Sequence, residues 1–125
     1  MTAVLDAGAL IAIEKRDRRV GAMLRILQRD GVPVSTSAGV LAQVWRDGRR
    51  QANLARMLPG IDTHAIDEDA AKGIGELLAS SGTTDVVDAH VALMVRHDGQ
   101  VLTSDEADIK SLLRRRRVKA TVIPV

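Results

Sequence analysis

The feature that most constrains the fold is the regular alternation of short apolar stretches with helical patterns along the chain. Between the stretches, apolar residues recur at helical intervals, as Met23, Leu24 and Leu27 do. Alternating strands and helices favour an α/β fold with a mostly parallel sheet and right-handed crossovers. We predict five strands, near Ala3–Leu5, Pro33–Thr36, His64–Ile66, Gln100–Thr103 and Ala120–Ile123.

Helical patterns fill the intervals between these strands, and the turns "DGVP", "PGID" and "HDGQ" separate them. A chain of 125 residues with 46% hydrophobic content fits one domain, residues 1–125, and shows no repeat or linker. We predict helices near Ala7–Glu14, Arg18–Gln28, Ala38–Arg46, Arg49–Leu58, Asp67–Ala79, Asp85–His97 and Glu106–Arg116.

The composition excludes several classes of protein. The chain has no cysteine, which rules out a disulfide framework and a thiolate metal site and is typical of a reducing compartment. No basic segment precedes an apolar segment at the start, and no apolar run approaches the ~20 residues of a membrane span. We therefore expect a cytoplasmic protein that does not insert into a membrane.

Positive charge is concentrated in two clusters, "WRDGRRQANLAR" and "KSLLRRRRVK", and fourteen of the 18 basic residues are Arg. Arginine suits bidentate phosphate contacts, so the clusters indicate nucleic acid, although a solvated helix face or an acidic protein partner explains them equally well. Trp45 is the only aromatic residue, which excludes a base-stacking platform. The candidate phosphate-binding residues are Arg46, Arg49, Arg50, Arg114, Arg115, Arg116 and Arg117.

Carboxylates directly follow two of the predicted strands. Asp6 stands after Val4 and Leu5 in "VLDAGALIAIE", and Asp105 ends "QVLTSD". Functional groups in parallel sheets gather beyond the carboxyl ends of the strands, so both acids are expected at one edge. Asp6 alone is also explained as the N-cap of the helix that follows it.

A third source of carboxylates is the helical segment "TTDVVDAHVALM", in which Asp85 and Asp88 lie three residues apart on nearly one face. The helix dipole explains Asp85, whereas Asp88 lies among apolar residues and requires a partner, either an Arg or a metal ion. Converging carboxylates repel each other and suit Mg²⁺ or Mn²⁺, whose chemistry beside phosphates is phosphodiester hydrolysis.

Four segments together resemble PIN-domain ribonucleases, and among these the toxin subunit of VapBC-type toxin-antitoxin pairs. They are "VLDAGALIA", "STSAGVLAQVWR", "DVVDAHVALMV" and "VLTSDEADI", and the resemblance covers nearly the whole chain. It implies a PIN-like three-layer sandwich with a mostly parallel central sheet flanked by helices. It also implies a Mg²⁺- or Mn²⁺-dependent endoribonuclease that forms a homodimer and is silenced by a small antitoxin protein.

The resemblance assigns roles residue by residue. It implies that Asp6, Asp88 and Asp105 are catalytic and hold the metal, with Asp85 as an additional ligand or a water-orienting group. Thr103 and Ser104 match the polar pair before the last acid, where a hydroxyl can orient a carboxylate or water.

The chain departs from the resemblance at Gln43, where the related proteins usually have a glutamate. Glutamine keeps a carbonyl oxygen but lacks the negative charge. Two interpretations follow: an active nuclease in which Asp85 compensates for the charge, or a degenerate PIN module that binds RNA or a protein partner without cleaving.

The three histidines, His64, His90 and His97, do not have the spacing of a metal-binding set. We therefore expect them to be structural or surface residues rather than catalytic ones.

Overall fold

The computed structural model describes all of residues 1–125. Five strands of the chain form one sheet. The strands are β1 (Ala3–Leu5), β2 (Val34–Ser37), β3 (Asp62–His64), β4 (Gln100–Thr103) and β5 (Thr121–Pro124). They lie in the order β3-β2-β1-β4-β5, and every neighbouring pair is parallel. The α/β prediction is confirmed, with a sheet that is entirely rather than mostly parallel.

Seven helices flank the sheet and complete the PIN-like three-layer sandwich. They are α1 (Ala7–Glu14), α2 (Arg18–Arg29), α3 (Ala38–Val44), α4 (Ala52–Met57), α5 (Glu68–Ser81), α6 (Val86–Met94) and α7 (Glu106–Arg116). Helix α1 packs against α3 and α4, whereas α5, α6 and α7 pack against one another. None of these helices combines the length and the hydropathy that crossing a membrane requires.

Strand β1 lies at the centre of the core. Its three residues, Ala3, Val4 and Leu5, are completely buried, because helices cover both faces of the sheet. This explains why the strand is a continuous apolar run rather than an alternating one. Its register places Leu5 opposite Thr36 of β2 and Leu102 of β4.

The order of the strands reverses between β1 and β4. The chain proceeds from β1 to β2 and β3 on one side, then returns through α5 and α6 to place β4 on the other side of β1. In open parallel sheets the crevice beyond the carboxyl ends at such a reversal is the usual place for a binding site. Asp6 and Asp105 follow the two strands that flank the reversal.

The predicted third strand is displaced by two residues, since β3 covers Asp62–His64 instead of His64–Ile66. All three residues of β3 are exposed at the edge of the sheet. An edge strand is held by its backbone ladder to β2 and does not need apolar side chains, so the apolar pattern at Ile66 was misleading. The bounds of the other strands agree with the prediction to within one residue.

Helices α3 and α4 are shorter than predicted because the segment between them is organised by Gln51. This amide is buried, and its Oε1 accepts hydrogen bonds from the backbone N–H groups of Arg46 (2.7 Å) and Asp47 (3.0 Å). Its Nε2 donates to Val44 O (2.9 Å) and to Glu14 Oε2 (3.1 Å). Helix α3 therefore ends at Val44, and α4 begins only at Ala52.

Helix α6 ends at Met94 instead of continuing to His97. The guanidinium of Arg116, at the end of α7, donates from Nη1 to Ala92 O (2.6 Å) and Val95 O (2.9 Å). These bonds supplement the long backbone bond from Val95 N to Ala92 O (3.4 Å) and give Val95 O a partner just beyond the end of the helix. Arg116 is thus a helix-capping residue, and its role as a phosphate-binding cation stays a prediction.

We expect Gln51→Glu to lower the free energy of unfolding by about 2–3 kcal/mol, because the carboxylate loses both donors and faces Glu14 and a carbonyl. Gln28→Glu is the matched control, since Gln28 is exposed on α2 and forms no side-chain hydrogen bond. Urea denaturation at neutral pH measures both variants. Equal stabilities would show that the four bonds of Gln51 do not hold the segment.

Candidate metal centre

Asp6 caps helix α1 and is also one of the carboxylates at the carboxyl edge of the sheet. It is the N-cap of α1, and its Oδ1 accepts a hydrogen bond from the backbone of Ala7 (2.7 Å). Its Oδ2 accepts from Thr103 Oγ1 (2.6 Å), and its own N–H donates to Leu102 O (2.9 Å). The ladder between β1 and β4 therefore fixes both the backbone and the carboxylate of Asp6, which is only 3% exposed.

Asp88 reaches the same edge from the first turn of α6. The N-cap of this helix is Asp85, whose Oδ1 accepts a hydrogen bond from the backbone N–H of Asp88 (2.9 Å). Asp88 is buried, and no Arg or Lys lies within ion-pair distance of it. The interpretation of Asp88 as half of a buried ion pair is wrong.

Asp105 follows β4 and faces solvent. Its backbone N–H donates to Thr103 Oγ1 (2.9 Å), so one buried hydroxyl links the carboxylate of Asp6 to the backbone of Asp105. The neighbouring Ser104 is exposed and forms no side-chain hydrogen bond. A Cβ at Gly8 would lie 2.7 Å from Ser104 Oγ, so the glycine allows the first turn of α1 to approach the end of β4.

The carboxylates of Asp6, Asp88 and Asp105 form one group, here called the acidic centre, with ligand oxygens within 4.8 Å of one another. Asp85 lies outside this group, exposed at the start of α6. Gln43 is exposed on α3, and its side-chain amide forms no hydrogen bond within the protein. Three acids from β1, α6 and β4 thus meet at the point where the strand order reverses.

Burial and mutual repulsion make it unfavourable for all three carboxyl groups of the acidic centre to be ionised at once. The pKa of Asp88 is raised from 3.8 to about 7, first by burial and then by neighbouring charges. Burial also raises the pKa of Asp105, followed by repulsion from Asp6, Asp108 and Asp85. A divalent cation between these oxygens would remove the repulsion, and carboxylates are the hard ligands that Mg²⁺ and Mn²⁺ prefer.

One contributor to this field, Asp108, was not found by the sequence reasoning. It lies in the first turn of α7 and acts on both Asp88 and Asp105. The signal that would have revealed it is its spacing of three residues from Asp105, which turns both side chains to one side of the helix start.

The predicted phosphate-binding arginines have different environments. Arg46 donates from Nη1 to Ala42 O and Trp45 O at the end of α3, and Arg49 Nε lies 3.5 Å from Asp47 Oδ1. Arg50, Arg114, Arg115 and Arg117 are exposed and form no ion pair. Among the seven predicted arginines, only these last four have guanidinium groups that form no hydrogen bond or ion pair within the protein.

The fold has close counterparts among solved structures, although no protein-family model and no curated protein matches the sequence. The chain is similar to one in the crystal structure of VapBC2 from Rickettsia felis bound to a DNA fragment from their promoter, with a TM-score of 0.69 and 17% identity over 98% of each chain. It is also similar to one in the structure of FitAB bound to an IR36 DNA fragment, with a TM-score of 0.67 and 19% identity over 97% of this chain and 94% of the other. The fold implied by the resemblance to VapBC-type PIN domains is confirmed.

The raised pKa of Asp88 predicts a characteristic pH dependence of stability without metal. Between about pH 4 and pH 7 the folded protein holds a proton on Asp88 that the unfolded chain releases, so stability falls as the pH rises. Asp88→Asn removes this penalty and should stabilise the metal-free protein by ~2 kcal/mol at about pH 8 and hardly at all at about pH 4, given that residual solvent screens the repulsion.

Chemical denaturation in EDTA at the two pH values measures this difference. Asp69→Asn is the control, because Asp69 is exposed in the first turn of α5. An Asp88→Asn variant that is no more stable than wild type at the higher pH would show that the carboxylates do not repel one another in the folded protein.

Proposed function

We propose that this protein is a metal-dependent endoribonuclease that hydrolyses RNA phosphodiester bonds, and that it is the toxin of a type II toxin-antitoxin pair in the cytoplasm. The observation that carries the proposal is the acidic centre, in which three carboxylates without any basic partner lie within 4.8 Å. Such a group is stable near neutral pH with a divalent cation among its oxygens. Its position at the reversal of the strand order leaves it open to a substrate.

In this proposal Asp6, Asp88 and Asp105 hold the Mg²⁺ or Mn²⁺. When bound, such an ion supplies activation of water and stabilisation of the negative charge on the leaving oxygen. Thr103 orients Asp6 through its 2.6 Å hydrogen bond, and Asp85 holds the first turn of α6 so that Asp88 keeps its position. Asp105, the exposed member, faces the side from which RNA approaches.

A groove along α7 offers a path for the RNA backbone away from the acidic centre. The first part is an open cavity of about 630 Å³, in which three acids, Asp105, Glu106 and Asp108, lie beside two cations, Lys110 and Arg114. Arg114 also lines a second cavity of about 330 Å³, together with Arg115 and the hydroxyl-bearing Ser111. Free guanidinium groups beside hydroxyls are suited to phosphate oxygens, so we place the RNA backbone along Arg114 and Arg115, the α7 groove.

The partner is proposed from the neighbours and from the charge of the site. The two similar structures carry paired names, VapBC2 and FitAB, and each holds a DNA fragment. We carry the pairing over to this chain as a small antitoxin protein, with a basic side chain that enters the acidic centre and replaces the cation. A homodimer is part of the same proposal.

The second candidate function is a degenerate PIN module that binds RNA or a protein partner without cleavage. Gln43 favours it, because the resemblance implies a glutamate there and the glutamine supplies no charge. The acidic centre would then hold a metal only weakly.

Single changes of Asp6, Asp88 or Asp105 to Asn should each reduce RNA cleavage with Mn²⁺ by about 100-fold or more, and a double change should add little, because the three side chains act on one ion. Titration calorimetry with Mn²⁺ should show a corresponding loss of binding. Asp69→Asn, on the exposed face of α5, should retain both properties.

The variant Gln43→Glu separates the two candidate functions. If the chain is an active nuclease, the wild-type protein cleaves RNA. The charge that Gln43→Glu adds then tightens Mn²⁺ binding by ~1 kcal/mol. Wild-type protein that is inert with Mg²⁺ and Mn²⁺, but active after Gln43→Glu, would show that the natural chain is a silenced nuclease and would contradict the proposal.

The double change of Arg114 and Arg115 to Gln should weaken RNA binding about equally for all sequences and reduce the slope of log K against log salt by roughly 1.4, about 0.7 for each lost phosphate contact. Fluorescence anisotropy in the non-cleaving Asp88→Asn background measures the slope. The control changes Arg18 and Arg25, which are exposed on α2 and unpaired. Equal slopes in the two double variants would show that RNA does not follow the α7 groove.

A further inference from the structure

A cavity of about 910 Å³ lies at the edge of the sheet opposite to the acidic centre. Thr2 and Pro33, which precede β1 and β2, line it together with Asp62 at the start of β3. Residues that follow the ends of α6 and α7 complete its wall, among them His97 and Val118. We call this space the amino-edge cavity, because it surrounds the amino ends of the strands.

All three histidines of the chain line this cavity, although their spacing in the sequence suggested no common site. His90 is only 4% exposed, and its Nδ1 lies 2.5 Å from Ser37 Oγ. Ser37 Oγ also accepts a hydrogen bond from the N–H of Gly39, and its own hydrogen can be donated to Nδ1. In that tautomer the proton of the neutral ring is on Nε2, which has no hydrogen-bond partner within the protein.

A second ring donor comes from His97. Its Nδ1 accepts a hydrogen bond from the backbone N–H of Lys119 (3.2 Å), which places the proton of the neutral ring on Nε2.

The charge of the cavity is positive. Arg116 is half-buried and Arg96 is exposed, and neither forms an ion pair with a carboxylate. Burial lowers the pKa of Arg116, whose known bonds are to the carbonyl groups at the end of α6. Asp62 is the only acid in the wall. Two guanidinium groups and the imidazole rings of His90 and His97 thus line the cavity with one carboxylate, which is the composition of a site for an anion.

We propose that the amino-edge cavity binds a phosphate monoester, with the phosphate held by Arg96, Arg116, His90 and His97. A phosphate monoester offers three terminal oxygens and up to two negative charges, which matches more donors than a carboxylate does. The apolar side of the cavity, formed by Leu93, Met94 and Val118, receives the organic part of the ligand. The phosphate comes either from a free mononucleotide or from the end of an RNA chain, and the site does not depend on the nuclease activity.

The test is a titration of metal-free protein in EDTA, followed by the NMR signals of the ring nitrogens of His90 and His97. Without a divalent cation the acidic centre repels phosphate, so it does not contribute. We expect saturable changes with inorganic phosphate and with AMP, and none with adenosine. Arg96→Gln should weaken AMP binding about tenfold, the effect of losing one charge-assisted hydrogen bond.

Arg25→Gln on α2 is the matched control for charge and should bind AMP as the wild-type protein does. Arg116→Gln is not informative alone, since it also removes the cap of α6.

A short RNA with a 5′-phosphate, compared with the same RNA with a 5′-hydroxyl, distinguishes the two sources of phosphate. Tighter binding of the 5′-phosphorylated RNA than of the 5′-hydroxyl RNA assigns the site to an RNA end, whereas equal binding of the two RNAs together with saturable binding of AMP assigns it to a free nucleotide. The proposal is overturned if phosphate and AMP cause no saturable change, if adenosine binds as well as AMP, or if Arg25→Gln weakens binding as much as Arg96→Gln.

Discussion

The parallel pairing of β1 with β4 is the constraint on which the acidic centre depends. The chain reaches β4 only after it has formed β2 and β3 on the other side of β1, so two strands distant in sequence end side by side. The ladder continues through the N–H of Asp6 to Leu102 O, and the buried hydroxyl of Thr103 then ties the Asp6 carboxylate to the backbone of Asp105. The position of both acids is therefore set by the sheet itself and not by flexible loops.

The same arrangement opposes folding, because it concentrates negative charge at a buried edge. Asp88 shows the effect most clearly, with its pKa raised to about 7 by burial and by neighbouring carboxylates. The apolar core that surrounds β1 compensates, since its completely buried side chains contribute far more than one repulsive carboxylate removes. Unfavourable charge at an open edge, supported by a rigid sheet, is the usual compromise of a functional site.

The sequence was sufficient for the parts of the fold that follow local rules. The alternation of short apolar stretches with helical patterns predicted the sheet. The acids placed after two of these stretches predicted that Asp6 and Asp105 lie close together. Two of the errors occurred where a side chain from outside the helix decides its end: Gln51 bonds Val44 O at the end of α3, and Arg116 bonds carbonyl groups 21 and 24 residues away at the end of α6. Such bonds leave no periodic signal, and neither does the approach of Gly8 to Ser104.

Helix α6 explains how one domain holds two chemically opposite edges. Nearly all of its side chains are apolar, and its buried polar residues are Asp88 and His90. Residues two positions apart are separated by about 200° around the helix axis, so the side chains of Asp88 and His90 leave the helix on nearly opposite sides. Asp88 joins the acidic centre, while His90 contacts Ser37, the last residue of β2, and lines the amino-edge cavity. One helix therefore contributes a side chain to each of the two sites, and both contacts restrict its rotation about its own axis.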